Sequence, residues 1–309
     1  ECVPPFAKLR NRTKVVIGKS TFRLEGTKLV ELKPRLRANT RIGVLSAPKD
    51  GSSVTLDNIR NFVKAFKARD VHWIVANGDL AYDAAALPDV LDVLAESQVP
   101  VFVSIGNGES VAPFNDAVLQ AMTRHKNIFN TNFIRWVEGA GVSMLTVPGY
   151  YDENYIHPPD GCAYQKEDVT KMSDLARRTR NKRKVLVSHG PPLGNTANGL
   201  DVIHNGRNVG DPALNQLMEK GQIQYGIFGH ILESGGRGVN AAQESVSQDT
   251  KSKTLWVNVG SASAIPWKMV EGHFEEGMAM VMTIAKDGAT YQVIKAADAR
   301  SLRWSGGQP

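Results

Sequence analysis

From about residue 40 onward, short apolar runs alternate with stretches in which apolar residues recur at helical spacing. Arg41-Ile42-Gly43-Val44-Leu45 reads as a short buried strand, and Leu56, Ile59, Phe62, Val63 and Phe66 then share one face of an amphipathic helix over 55–69. A strand at 73–76, a helix around 87–96 with Val90, Leu91, Val93 and Leu94, a strand at 101–105 and a helix at 114–125 continue the series. Further strands are predicted at 143–147, 184–188, 223–228 and 254–259, with helices at 167–181 and 212–220 between some of them. The two ends differ. Val15-Val16-Ile17 and Thr21-Phe22-Arg23-Leu24 flank Gly18, Lys28-Leu29-Val30-Glu31-Leu32 follows Gly26, and Pro34 ends the segment, a hairpin-like region over 14–32. Near the other end, Met278–Ile284 and Thr290–Ile294 flank Asp287-Gly288, a hairpin signal.

Alternating strands and helices imply an α/β architecture with a central sheet, and hairpins at both ends make that sheet mixed. The expected organisation is an N-terminal tail and β-hairpin extension (1–39), a main domain (40–299) and a C-terminal tail (300–309). Loops 149–166 and 190–211 are long and rich in Gly, Pro, Asn and Asp, as functional loops often are. The stretch 233–253, with Gly235-Gly236, Gly238 and many Ser and Gln, reads as the mobile loop.

Bulk properties narrow the class only slightly. The 309 residues are 42% hydrophobic, ordinary for a globular protein. No apolar run approaches the ~18 residues that span a membrane. The net charge is +6, and much of it lies in Arg177-Arg178-Thr179-Arg180-Asn181-Lys182-Arg183-Lys184. No aromatic residues are interleaved there for base stacking, so the run reads as a solvated helix end before a strand and gives no strong nucleic-acid signal. The two cysteines, Cys2 and Cys162, allow free thiols, a bridge tying the N-terminal tail to a loop in an oxidising compartment, or a lipid-attachment role for Cys2, against which Glu1 argues. The balance leans to an exported protein, periplasmic, cell-surface or secreted, and Asn11-Arg12-Thr13 fits the glycosylation sequon.

The chemistry-bearing residues stand at strand ends. Asp79, Asn107, His189 and His230 each follow a predicted strand, and in open α/β sheets ligands bind at the carboxyl ends of strands. Two imidazoles, a carboxylate and an amide oxygen suit a borderline divalent ion such as zinc, manganese or iron. Taken singly, each has an ordinary explanation. Asn77-Gly78-Asp79 and Gly106-Asn107-Gly108 are turn sequences, and a lone buried histidine is more often hydrogen-bonded than metal-bound.

Taken together, Gly78-Asp79-Leu80-Ala81-Tyr82-Asp83, Gly106-Asn107-Gly108-Glu109, Ser188-His189-Gly190, Gly229-His230-Ile231-Leu232 and Asn258-Val259-Gly260-Ser261 resemble, in order, the motifs of the calcineurin-like metallophosphoesterases. Their order is similar to that of purple acid phosphatases. The resemblance covers about residues 40–296 and implies a four-layer αββα fold, a central mixed β-sandwich flanked by helices. In that family two metals about 3.5–4 Å apart polarise the phosphoryl group and generate the nucleophile.

The resemblance also implies where this chain departs. The first metal's positions are Ser46, Pro48, Asp79 and Leu232, of which only Asp79 is a good ligand; the second metal's are Asp79, Asn107, His189 and His230, all present. The position of the family's general acid is Gly108, and Tyr82 stands where a tyrosinate ligand sits in purple acid phosphatases but reads here as a packed aromatic. Lys49 follows the degenerate first motif and is expected to bring a positive charge toward the first-metal position, while His157 and His204 are candidate substrate contacts in the long loops. Two functions follow. One is an inactive or weakly active protein that holds one divalent metal or none and binds a phosphate-bearing small molecule or a protein partner. The other is an active mononuclear phosphoester hydrolase.

Overall fold

The computed structural model describes Cys2, residues 12–34 and residues 38–301. Asn11 of the sequon and residues 302–309 of the expected tail lie outside the described residues. The elements run β1 (Arg12–Ile17), β2 (Ser20–Glu25), β3 (Lys28–Leu32), β4 (Thr40–Leu45), α1 (Ser53–Ala68), β5 (Trp73–Asn77), α2 (Leu87–Ala95), β6 (Val101–Ser104), α3 (Val111–Arg124), β7 (Ile128–Asn130), β8 (Trp136–Gly139), β9 (Val142–Val147), α4 (Lys166–Arg177), β10 (Lys184–Ser188), α5 (Pro212–Lys220), β11 (Tyr225–Phe228), β12 (Gly238–Val239), β13 (Leu255–Asn258), β14 (Trp267–Lys268), β15 (Phe274–Glu275), β16 (Met278–Ile284), β17 (Ala289–Lys295) and α6 (Ala296–Ser301).

The strands form two large sheets. One has the order β17-β16-β4-β5-β6-β7; the other has the order β1-β2-β3-β8-β9-β10-β11-β13-β12. The centre of each is parallel: β4, β5, β6 and β7 in the first, β9, β10, β11 and β13 in the second. Antiparallel strands border both centres, so each sheet is mixed. β3 pairs in parallel with β8, so the N-terminal meander continues the larger sheet.

Three apolar layers hold this together. Between the sheets lie Ile42, Val44, Trp73, Val75 and Phe102 from one side and Val142, Met144, Val185, Val187 and Ile227 from the other. The outer face of the smaller sheet packs Leu45, Ile74 and Val103 against Ile59, Phe62, Phe66, Leu91 and Phe114 of its helices. The outer face of the larger sheet packs Leu145, Leu186 and Phe228 against Val169, Met172, Leu214 and Leu217 of α4 and α5. Parallel strands buried on both faces are apolar at consecutive positions, and each fully buried large side chain contributes about 1.5–3 kcal/mol. Gly43 in β4 has its reason here: a Cβ would lie 2.8 Å from the Phe66 ring, so only glycine lets α1 settle on the sheet. The result is the four-layer αββα sandwich that the family resemblance implies.

Two sequence expectations change. The stretch 233–253 is tied down and is not the free loop its Gly, Ser and Gln content suggests. Val239 and Val246 are buried, β12 pairs with β13, and Val246 N–H donates to the Gly238 carbonyl at 2.8 Å. Helix α4 ends at Arg177, short of the predicted 181. The basic run beyond it is partly engaged in tertiary bonds. Arg183 Nε donates to Gly141 O at 3.0 Å, Lys184 Nζ donates to Gly221 O at 2.7 Å, and the Asn181 amide donates to the Glu138 carboxylate at 2.6 Å.

Candidate metal centre

The carboxyl ends of β4, β5 and β6 in one sheet and of β10, β11 and β13 in the other face a common region, and the loops leaving them are sewn together. Asn77 Nδ2 donates to the Ser188 carbonyl at 2.8 Å across the sandwich, Gly229 N–H donates to His189 O at 2.9 Å, and Ser261 Oγ donates to Ala47 O at 2.9 Å. Asn258 Nδ2 donates to Leu200 O and Ile231 O, both at 2.8 Å, which fixes the turn after His230. The turns that carry the candidate donors are backbone-strained: Asp79 has φ 54° and His230 φ 63°, a left-handed conformation that costs a non-glycine residue free energy and that clusters at functional sites. Gly78 and Gly106 are required by close approach, since a Cβ on the first would collide with His189 Nδ1 and on the second with the Asp79 carboxylate.

These turns bring Asp79, Asn107, His189 and His230 together. One Nδ1, Nε2 or carboxylate oxygen from each of Asp79, His189 and His230 lies within 4.8 Å of the others. Asn107 Oδ1 is 2.9 Å from His189 Nε2 and 2.9 Å from His230 Nδ1, and Asp79 Oδ1 is 3.5 Å from His189 Nε2. The Asn107 amide is oriented from outside the cluster: its Nδ2 donates to the Tyr155 carbonyl at 2.7 Å, which leaves Oδ1 for the histidines. His189 Nδ1 lies 2.9 Å from the Asn77 carbonyl, so it carries a proton, and Nε2 faces two oxygens.

The donor set has more lone pairs than protons. Burial disfavours the His189 imidazolium, but the Asp79 charge and hydrogen bond outweigh it and raise the imidazole above its usual value. Burial likewise opposes the Asp79 carboxylate, but His189 and the backbone N–H groups hold it well below the carboxylate range. His230, buried and beside the His189 charge, is pushed down to about 3, so it is neutral and offers a lone pair. A tetrahedral ion with ligand bonds of about 2.0–2.1 Å separates its ligand atoms by about 3.3 Å, and the spacings here bracket that value. Borderline ligands in this number fit zinc, manganese or iron.

The positions implied for a first metal are differently engaged. Ser46 is fully buried and its Oγ donates to the Asn77 carbonyl at 2.8 Å; Pro48 and Leu232 are buried without a donor atom. The ring of Tyr82 fills the space over Gly108 that a side chain would need. Tyr82 is more than the packed aromatic expected: it is 43% exposed and its hydroxyl donates to Asp79 Oδ2 at 3.2 Å. Burial and then the Asp79 charge raise this phenol well above its usual range, so it is a donor and not a tyrosinate. Lys49 turns inward, its Nζ 4.4 Å from the Trp267 ring centroid and 5.8 Å from that of Tyr82. His157 also reaches the site, its ring 5.5 Å from that of Tyr82 and its backbone N–H donating to the Asn107 carbonyl at 3.0 Å. His204 instead faces Glu233, at 3.7 Å.

Four structural contributors escape a reading by motif. Glu109 is buried and accepts N–H groups from Asp79 at 3.1 Å, Gly106 at 2.8 Å and Leu80, so one carboxyl group positions the turns that carry Asp79 and Asn107. Burial and then the Asp79 charge push it up to about 8. Tyr150 lays its ring 3.9 Å from that of His230, Tyr155 orients Asn107 through its backbone, and Trp267 carries Lys49. Only Glu109 had a sequence signal, at the end of Gly106-Asn107-Gly108-Glu109. The loop bearing Tyr150, Tyr155 and His157 is anchored by the Cys2–Cys162 disulfide, and the Tyr150 N–H donates to Cys162 O at 2.9 Å.

Comparison with solved structures places the architecture among phosphoesterases. A purple acid phosphatase, PPD1, from yellow lupin seeds superposes with a TM-score of 0.56 at 11% identity, over 91% of this chain and 57% of that one. A dimetal phosphatase from Danio rerio gives 0.52 at 12% identity, over 83% and 99%. GAP50, described as the anchor in the inner membrane complex of Plasmodium, gives 0.55 at 12% identity, over 85% and 86%. No curated protein matches the sequence. The sequence profile of calcineurin-like phosphoesterases matches residues 53–234, from the start of α1 through the Gly229-His230 turn and more than half of the chain, and the protein therefore belongs to the calcineurin-like phosphoesterase family.

Proposed function

We propose that this protein holds a single divalent cation on Asp79, Asn107, His189 and His230 and binds a phosphate-bearing ligand there, with weak phosphoester hydrolysis or none. The observation that carries the reading is the contrast within one site. Asp79, His189 and His230 offer ligand atoms within 4.8 Å of one another and Asn107 Oδ1 lies 2.9 Å from both imidazoles, while the neighbouring positions Ser46, Pro48 and Leu232 present a hydroxyl already engaged and two apolar side chains. A bound cation would polarise a phosphoryl oxygen as a Lewis acid. This chain's own contribution is orientation: Tyr155 sets Asn107, Asn77 sets His189, and the Tyr82 hydroxyl donates to Asp79 Oδ2. No side chain stands at Gly108 to protonate a leaving group, which supports weak turnover. The family does not decide activity, because the fold is shared by named phosphatases and by a named anchor. The completeness of the four-donor set favours a second reading, a mononuclear hydrolase.

The test is metal analysis of the purified chain with hydrolysis of an aryl phosphodiester. One ion per chain and its loss in His189→Ala support the site; activity that disappears with the same substitution selects the hydrolase. No zinc, manganese or iron bound after dialysis against each ion would refute the site. The Cys2–Cys162 bond supports a place in an oxidising compartment for the protein.

A further inference from the structure

We infer that the Lys49 ammonium takes over the charge of the missing first metal ion, so that a phosphoryl group is gripped between the Asp79–Asn107–His189–His230 cluster and Lys49. The inference rests on the metal reading of that cluster and adds the second half of the ligand's binding site.

Three observations carry it. First, the backbone of Lys49 is clamped to the cluster. Its N–H donates to Asp79 O at 2.9 Å, its carbonyl accepts the Tyr82 N–H at 3.0 Å, and its φ of 69° is a left-handed conformation that these bonds maintain. The side chain therefore starts from the loop after β4 at a point bonded on both sides to the turn that carries Asp79. Second, the ammonium is held and yet unpaired. It lies over the faces of Trp267 at 4.4 Å and Tyr82 at 5.8 Å, within cation–π range, while among the described residues no carboxylate comes within 4 Å and no acceptor hydrogen-bonds to it. Asp79 and Glu233 are near enough for their charges to act on it, and burial lowers its pKa. A half-buried ammonium with three free donor hydrogens beside a metal-type cluster is an anion receptor waiting for an acceptor. Third, the Trp267 indole Nε1 is shielded from solvent and has no hydrogen-bond partner among the described residues, so the ring that supports the ammonium carries a second unsatisfied donor.

The ligand class follows from the donors. Oxygen atoms of tetrahedral geometry can meet a cation on one side and an ammonium on the other, and lysine binds phosphate as a point charge. Lys49 is thus a positioning and affinity residue for the phosphoryl group, with no part in holding the metal.

The probe is inorganic phosphate, titrated calorimetrically into the manganese-loaded and the metal-free chain. Lys49→Gln is expected to weaken phosphate binding about tenfold or more, the loss of one charge-assisted contact. Lys49→Arg should retain most of it, and metal stoichiometry should be unchanged in both. Phosphate affinity equal in parent and Lys49→Gln, with the ion still bound, overturns the inference while leaving the metal site intact. Absence of metal from the parent refutes the metal site, and the metal-free titration then tests Lys49 alone. Should Lys49→Gln not fold, the unsubstituted chain decides. Phosphate should protect Lys49 from reductive methylation, read by peptide mass spectrometry, and equal labelling with and without phosphate overturns the proposal.

Discussion

Asn107 delivers its amide oxygen to two imidazoles because its amide nitrogen is already bonded to Tyr155, and the same logic of occupied partners sets the protonation of the cluster. The depressed Asp79 pKa means that its stabilising interaction is present above the ordinary carboxylate value of about 4 and is lost as pH falls through the folded value. The raised His189 pKa means the opposite: its contribution is fully present below about 6.5 and is lost as pH rises through the folded value. The metal-free chain is therefore expected to be most stable at weakly acid pH and to lose melting temperature toward both sides. A cation competes with the His189 proton, so its dissociation constant should tighten by up to about tenfold per pH unit until His189 is neutral. Thermal melts from pH 3 to 9, with and without manganese, check both. A metal affinity flat across pH 5–8 would remove the proton competition.

At the scale of elements, strands and helices with strong periodicity were legible. Helix α1 and strands β4, β5, β6 and β10 stand within two residues of their predicted bounds, because each repeats one hydrophobic pattern over several positions. Strands β7, β8, β12, β14 and β15 were not legible, since two to four residues carry no period and exist as strands only through their partners. Loop 149–166 is likewise ordered from outside, by a disulfide between residues 160 apart in sequence and by Tyr150, Tyr155 and His157 docking on the site. Closing so long a loop is worth about 2–5 kcal/mol in a typical domain. Cys162→Ala is expected to lower the melting temperature by several degrees and, by loosening the Tyr155 contact, to weaken the cation at Asn107. Thiol counting under denaturing, non-reducing conditions should find no free thiol in the parent, and two would contradict the bond.

At the scale of the molecule, the candidate site is a meeting of two sheets. Its four donors were legible because each ends an apolar run in a recognisable order. Tyr155 and Tyr150, which pack on them, and Trp267, which supports Lys49, were not, because they arrive from loops whose placement depends on the whole sandwich. The same distribution governs what would build a two-ion site. Ser46→Asp, Pro48→His and Leu232→His together supply the first metal's ligand types, but not a site ready to accept an ion. Asp at 46 loses the hydroxyl that donates to Asn77 O and buries a carboxylate beside that carbonyl, at a cost of about 1–3 kcal/mol. Lys49 still places its ammonium toward the same side, over Trp267 and Tyr82, and like charge opposes a second cation. The triple variant is therefore expected to bind one ion per chain at neutral pH, and addition of Lys49→Ala to raise the stoichiometry toward two. Metal analysis after equilibration with manganese decides it. Two ions in the triple variant with Lys49 retained would show that the ammonium does not hold the first metal's place.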